Sequence, residues 1–428
     1  MRRLIPSLIV ITVGTWLFGL WYEPPATNAR AWTHEIYFLN GVLAWTFMAF
    51  CLVTAARPAW LERVTKTPLD QLYVNHRVLG WWALGLSFFH YYTKPIVIPI
   101  IRLFELSNPP KIPVAENPDL WDIFWKGLRP VANASAEWLT WIMLAICLLA
   151  LIRALGYSRW LHIHKLLSIV FLGLTLHCVR LMEASDFMTP FGWWNLLVTV
   201  VGCWAALRLL FNHGGIENRV EGMIVHTETT GNVTRWTIQT ELAKRIEPGQ
   251  FVFVTLNDER HPFSVAQTTD KTITLMIKHL GDFTSTIVPK VTQGTTITLE
   301  GPYGAFRPVF DGSRQTWVAT GIGIAPFVAW LQAAKDIKPK GVTLHWFIKD
   351  ASTESQLAEV QRLCEESGIT LKLHESHINR ATVDDILADR PERLAVCSNV
   401  QLAKALRKAW DGKEDHFQTE SFNWRHAS

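Results

Sequence analysis

The chain has 428 residues, 49% of them hydrophobic and 18% charged, with a formal net charge of +4. It is too long for one ordinary domain, and it holds no basic run of the kind that grips nucleic acid. Its six cysteines show no C-x-x-C pairing, which gives no sign of a disulfide framework or a cysteine-based structural zinc site.

In chain order, the first half reads as membrane and the second as soluble. Six apolar spans are expected at about 4–21, 34–55, 76–93, 137–155, 161–181 and 193–211. Each approaches the roughly 20 residues a helix needs to cross hydrocarbon. The opening MRRLIPSLIVITVGTWLFGL has the charge and length of a signal peptide but no evident small-residue cleavage site, so it is read as a retained first span. Arg2 and Arg3, then Arg57, Arg63, Lys66 and Arg77, then Arg153, Arg159 and Lys165, then Arg208 and Arg219 all fall on one side if the N-terminus is cytoplasmic, as the positive-inside rule asks. Both termini are then cytoplasmic, and the economy of the chain suggests a bacterial inner membrane. Residues 94–136 face outward, with WDIFWKGLRP as a short interfacial helix. Most of the 21 tryptophans precede Phe211, often near span ends, where an amphipathic ring favours the membrane–water interface.

Ionisable groups are costly inside a bilayer, yet His76 and His90 lie in the third span and His164 and His177 in the fifth. A lone histidine near a helix end is ordinarily a satisfied polar residue. Two pairs separated by the depth of a membrane are a different matter. His76 and His90 are 14 residues apart, about 21 Å and nearly four full turns, so both point to one helix face, one near each leaflet. Imidazole is an axial ligand for haem iron, and the pattern predicts two stacked haems. His164 and His177, 13 apart, would diverge by roughly 140° on an ideal helix. His162 with His177 would diverge by only about 60°, so geometry leaves His162 open as the inner ligand. A bend or change of helix type at Gly173 would relieve the 13-residue case.

NHGG at 212–215 reads as a linker. From 216 to 311, short alternating strands (MIVHTETTGNVTRWTIQTEL, GQFVFVTL, KTITLMIKHL, TTITLEGPYGAF) predict a small antiparallel barrel. From 312 to 428, strands alternate with helices in an α/β nucleotide-binding pattern. Its first strand, TWVAT, enters the turn Gly321-Ile322-Gly323, whose backbone N–H groups suit a pyrophosphate. Pro326 stands where the common fingerprint has its third glycine.

Arg260-His261-Pro262-Phe263-Ser264 resembles the flavin motif of the NADPH oxidase and ferric reductase family, within the ferredoxin–NADP reductase-like superfamily. Gly281-Asp282-Phe283-Thr284, Gly301-Pro302-Tyr303-Gly304, Gly321-Ile322-Gly323-Ile324-Ala325-Pro326 and the ending Glu420-Ser421-Phe422-Asn423-Trp424-Arg425 resemble further family segments, in order. The histidine spacings are also similar to the family's, which favours His164 over His162. The resemblance implies a six-helix transmembrane di-haem bundle (1–213) joined to a ferredoxin–NADP reductase-like module. That module would comprise an antiparallel β-barrel FAD domain (216–311) and an α/β NAD(P)H-binding domain (312–428).

The implied roles follow residue by residue. His76 with His164 and His90 with His177 would ligate two b-type haems. His261 would contact the FAD phosphates with Pro262 beside it, Phe263 would lie on the flavin and Ser264 would bond near its reactive nitrogen. Gly281, Asp282, Phe283 and Thr284 would hold the FAD pyrophosphate. Gly321, Gly323 and Pro326 would cradle NADPH, Lys349 would meet its 2′-phosphate, and Phe422, with Trp424 second, would stack on the flavin. Cys397 would approach the nicotinamide, although Cys397-Ser398-Asn399 stands where the family usually has Cys-Gly-Pro. Lys94 and Arg180, just beyond the outer histidines, would pair with haem propionates or attract an anionic product. The expected activity carries electrons from NADPH to O₂ across the lipid bilayer. A ferric or cupric chelate as acceptor is the alternative, and a haem-binding sensor or proton pathway a further one. With no EF-hand loop or proline-rich tail visible, activity is expected without Ca²⁺ or an activating subunit.

Overall fold

The structure, a computed structural model, describes residues 4–103, 120–150, 157–182, 184–257, 259–351, 354–375 and 380–420. Phe422 and Trp424 lie outside these residues. Two compact units meet in the chain between Gly215 and Ile216.

The first unit is helical: α1 (Leu4–Tyr22), α2 (Ala29–Ala56), the single turn α3 (Leu61–Thr65), α4 (Leu69–Leu103), α5 (Leu120–Ala150), α6 (Tyr157–Leu181) and α7 (Pro190–Leu210). Asn28 caps α2 by accepting from the Ala31 amide, one of the donors a helix start leaves open. Among the described residues five helices are long and apolar enough to cross a membrane: α1, α2, α5, α6 and α7. The sixth expected span, 76–93, lies within α4, which has the length (35 residues) but spends it on Asn75, His76, Arg77 and His90. Trp21, Trp138, Trp193, Val10 and Leu197 stand exposed on these helices, an apolar surface suited to lipid rather than water.

Three local expectations are corrected. WDIFWKGLRP is no separate interfacial helix; it forms the first turns of α5, with Pro130 inside that helix. Likewise α4 does not stop at 93 but continues through Pro95 and Pro99 to Leu103. Neighbouring helices can compensate a proline's missing donor in a membrane bundle. Nor does α6 change helix type at Gly173; that glycine accommodates the Leu139 side chain of α5.

Inside the bundle, Trp45 of α2 stacks flat on Phe171 of α6, with ring centres 3.9 Å apart. The Trp45 indole donates to the Thr199 hydroxyl of α7 at 3.0 Å, and Thr199 donates in turn to the Asn195 carbonyl. The Trp45 indole and the Thr199 hydroxyl are thereby satisfied where no water can serve.

In the second unit β1 (Arg219–Thr230), β2 (Val233–Gln239), β3 (Phe251–Leu256), β4 (Glu259–Thr268), β5 (Thr272–Lys278) and β6 (Thr296–Tyr303) close into an antiparallel barrel of order β1-β2-β5-β4-β3-β6. Inward residues such as Ile224, Trp236, Val252, Val254, Leu275 and Leu299 fill it, as period-two alternation predicts. Next come β7 (Gln315–Thr320), α8 (Ala325–Ala334), β8 (Val342–Phe347), α9 (Leu357–Ser367), β9 (Thr370–His374), α10 (Arg380–Leu387), β10 (Arg393–Cys397), α11 (Val400–Ala409) and β11 (Phe417–Glu420). Their strands form one parallel sheet, β11-β10-β7-β8-β9. The order reverses after β7, the switch point at which such sheets take ligands.

Candidate redox sites in the two units

In the bundle, α4 and α6 bring the predicted histidines together in pairs. The His76 and His164 rings are centred 6.0 Å apart at 66°, and those of His90 and His177 6.3 Å apart at 83°. An imidazole–metal bond of about 2 Å, plus about 1.1 Å from ring nitrogen to ring centre on each side, puts two rings that share one metal about 6.2 Å apart. His162 is exposed on α6, whereas the His164 ring faces that of His76.

The ring orientations are held from behind. His76 Nδ1 lies 3.0 Å from the Cys51 carbonyl and 3.1 Å from the Thr54 hydroxyl. His90 Nδ1 lies 2.9 Å from the Tyr37 carbonyl, and the Tyr37 ring stacks on His90 at 3.8 Å. A carbonyl at Nδ1 fixes the hydrogen there and leaves the lone pair on Nε2. On the other helix Trp160 stacks on His164 at 5.1 Å. The outer pair opens on a cavity of about 330 Å³ bounded by Gly41, Trp45, Leu174, Asn195 and Thr199. This size is at the lower end for a small-molecule site. Paired imidazoles on a largely apolar cavity fit a haem. Gly41 is part of that fit: a Cβ there would stand 2.8 Å from His90 Cε1. Arg180 donates through Nε to the Trp125 carbonyl and lies over that ring.

The second unit gathers most of the remaining predicted residues around β4. Phe263 is partly buried against the barrel core. Ser264 is buried and donates to the Glu420 carboxylate of β11 at 3.1 Å. Cys397, at the end of β10, is buried as well, and burial together with the Glu420 charge holds its thiol well above the usual range. Gly323 is packed so closely that a Cβ would come within 2.3 Å of the Cys397 carbonyl oxygen, which sets the glycine turn against the Cys397 strand end. Gly321 adopts φ +50° and its carbonyl accepts from the Trp346 indole at 3.0 Å. The segment 321–324 is a 3₁₀ turn leading into α8, with Pro326 in the first turn of that helix. Lys349 is exposed just after β8.

His261 lies 3.2 Å from the Glu259 carboxylate and stacks on Phe283 at 4.0 Å. Burial lowers its affinity for a proton, with Glu259 opposing. Phe283 itself is buried in the barrel core and opens a five-residue π-helical turn. The Thr284 hydroxyl accepts from the Leu280 and Gly281 amides, so it shapes this loop from within. Glu420 and Glu300 were not singled out from sequence. Glu420 entered only as the first letter of the C-terminal match, while Glu300, buried under Arg219 at 3.5 Å and Arg260 at 3.3 Å, carried no signal at all.

Residues 40–175 match the family model described as ferric reductase like transmembrane component, and residues 225–307 match one described as FAD-binding domain. The chain has the two-part architecture of the NADPH oxidase and ferric reductase family. It is accordingly a multi-pass membrane flavoprotein of the oxidoreductase class, with FAD as its flavin. No curated protein matches in a search of complete sequences. Among solved structures, the flavohem-like FAD/NAD-binding domain of nitric oxide dioxygenase from Vibrio cholerae O1 biovar El Tor is similar at 15% identity and TM-score 0.40, over 47% of this chain and 97% of that one. Ferredoxin-NADP+ reductase from Plasmodium falciparum matches at 15% identity and TM-score 0.40, over 48% and 97%. Amycolatopsis cytochrome P450 reductase GcoB matches at 18% identity and TM-score 0.42, over 48% and 70%.

Proposed function

We propose that this chain is a transmembrane NADPH oxidase, carrying electrons from cytoplasmic NADPH by way of FAD and two b-type haems to O₂ on the opposite face. One NADPH and two O₂ yield NADP⁺, one proton and two superoxide ions. The observation that supports it most is the pair of imidazole separations, 6.0 and 6.3 Å, repeated at two levels between the same two helices.

When bound, flavin accepts hydride and releases electrons singly, and bis-imidazole iron passes single electrons onward. The chain supplies position and polarity. His76 with His164, and His90 with His177, would hold the two haems, with the Cys51 and Tyr37 carbonyls keeping the Nδ1 hydrogens in place. Gly321 and Gly323 would admit the NADPH pyrophosphate to the turn, Pro326 would start α8 behind it, and Lys349 would meet the 2′-phosphate. His261 and Arg260 would face the FAD phosphates, beside Pro262 and the loop Gly281, Asp282, Phe283 and Thr284. Phe263 would cover one side of the flavin, and Phe422 would cover the other until nicotinamide displaces it. The Ser264 hydroxyl, oriented by Glu420, would sit at the hydride-accepting nitrogen, while the uncharged Cys397 thiol would border the nicotinamide without attacking it. The clusters of arginine and lysine favour an orientation with both termini cytoplasmic, and a bacterial inner membrane suits the chain. No activating subunit is required for turnover.

The test is superoxide output from purified protein loaded with FAD and haem and given NADPH, read by cytochrome c reduction that superoxide dismutase abolishes. No superoxide at any pH or haem loading rejects this acceptor. The description of the matching transmembrane family favours a ferric chelate as second acceptor; initial rates with ferric chelate under argon, set against rates with O₂, separate the two.

A further inference from the structure

A further constellation lies in the second unit, at the β9 edge of the parallel sheet. His345 sits within β8 and is fully buried. Alternation along the strand places it on the same face as Phe347, the face covered by Val383 and Ile386 of α10. His374 ends β9, and its ring stacks on both His345 and Phe347. His345 Nδ1 and His374 Nε2 are 3.0 Å apart. Asp385 of α10 is exposed beside them, and one ligand atom from each of the three residues lies within 4.8 Å of the others.

One feature is hard to explain as packing alone: nothing in the barrel or the nucleotide turn calls for two stacked imidazoles in the interior of the sheet, with a carboxylate within reach of both.

We propose that His345, His374 and Asp385 form a binding site for one divalent cation of borderline softness, with Zn²⁺ as its probe. Nitrogen ligands at about 2.0–2.1 Å in a tetrahedron are about 3.3 Å apart, close to the separation of the two imidazole nitrogens. Two imidazoles and one carboxylate suit Zn²⁺ rather than Mg²⁺ or Ca²⁺, which prefer all-oxygen shells. The exposed Asp385 carboxylate, within 4.8 Å of the imidazole ligand atoms, supplies the third ligand, and water completes the fourth position. The ion fastens the edge strand β9 to β8 and to α10, a tether that hydrogen bonds on one side of an edge strand do not provide. Its occupancy does not depend on the proposed electron transfer.

The experiment uses the full-length protein in detergent, stripped with a chelator, dialysed against Zn²⁺ and assayed by elemental analysis. His374→Ala and Asp385→Asn are compared with the wild type, and Asp385→His serves as the ligand-preserving variant. The wild type is expected to bind one more Zn²⁺ per chain than His374→Ala. Asp385→Asn should weaken that site by at least about 10- to 100-fold, the loss known for mere outer-shell partners, and Asp385→His should restore it. Zn²⁺ should also slow amide exchange at residues 370–374 in the wild type alone. Equal zinc content and affinity in all four proteins, with each folded by circular dichroism, overturns the site and leaves the histidines as a hydrogen-bonded pair.

Discussion

Gly41→Ala tests the outer histidine pair without touching either histidine. A Cβ at position 41 would stand 2.8 Å from His90 Cε1 and 2.9 Å from His90 Nδ1. Ordinary contacts between such atoms are about 3.5–4.0 Å, so the His90 ring must retreat by about 0.7–1 Å. An iron–nitrogen bond of about 2 Å cannot stretch by that amount, and the ring's other anchor, 2.9 Å from the Tyr37 carbonyl, is disturbed by the same movement. Overpacking of this kind costs about 1–3 kcal/mol, within what a bundle tolerates, so the protein still folds and the loss is local. The reduced-minus-oxidised α-band should fall to about half, reporting one ligated haem in place of two, and superoxide output should collapse while NADPH still reduces the flavin. Gly80→Ala and Gly85→Ala, on the same helix as His90 but facing open space, are the controls and should keep the full spectrum. A Gly41→Ala protein with undiminished haem content and an unshifted spectrum would refute the assignment of His90 as an axial ligand.

Gly323→Ala should raise KM for NADPH and leave FAD content unchanged, because a Cβ 2.3 Å from the Cys397 carbonyl oxygen must drive the glycine turn away from β10; steady-state kinetics with a flavin extraction check it. Ser264→Ala removes the donor to a buried carboxylate, an interaction worth about 1.5–3 kcal/mol, so anaerobic flavin reduction by NADPH should slow by about 10- to 100-fold in stopped flow. Asp311 is held down to about 2 by hydrogen bonds from Ser313 and by the Arg393 guanidinium at 2.8 Å. A depressed carboxylate stabilises above its unfolded value near 4 and loses that effect as pH falls toward 2. The Tm deficit of Asp311→Asn should therefore be present at pH 5 and vanish by pH 2, and, since the group is well exposed, it should correspond to less than about 1 kcal/mol.

Sequence alone settled what depends on period and on chemically costly residues. Histidines within apolar runs stand out because hydrocarbon makes them expensive, and the barrel strands announce themselves by strict alternation; both are local signals. The RHPFS, GPYG and GIGIAP segments carried the resemblance that set the order of the second unit. Other decisions belonged to the tertiary structure. A spacing of 13 residues on an ideal helix argued against His164 while the family resemblance favoured it; the approach of α6 to α4 turns the His164 ring toward His76, since ring direction depends on helix crossing and rotamer as well as on residue count. The extension of α4 through two prolines was equally hidden, because bundle neighbours decide whether a missing donor breaks a helix. Glu420 meets Ser264 across 156 positions, and His345, His374 and Asp385 converge from two strands and a helix. No window of sequence contains such contacts: burial and proximity are properties of the folded chain, fixed by how the elements pack after each has formed.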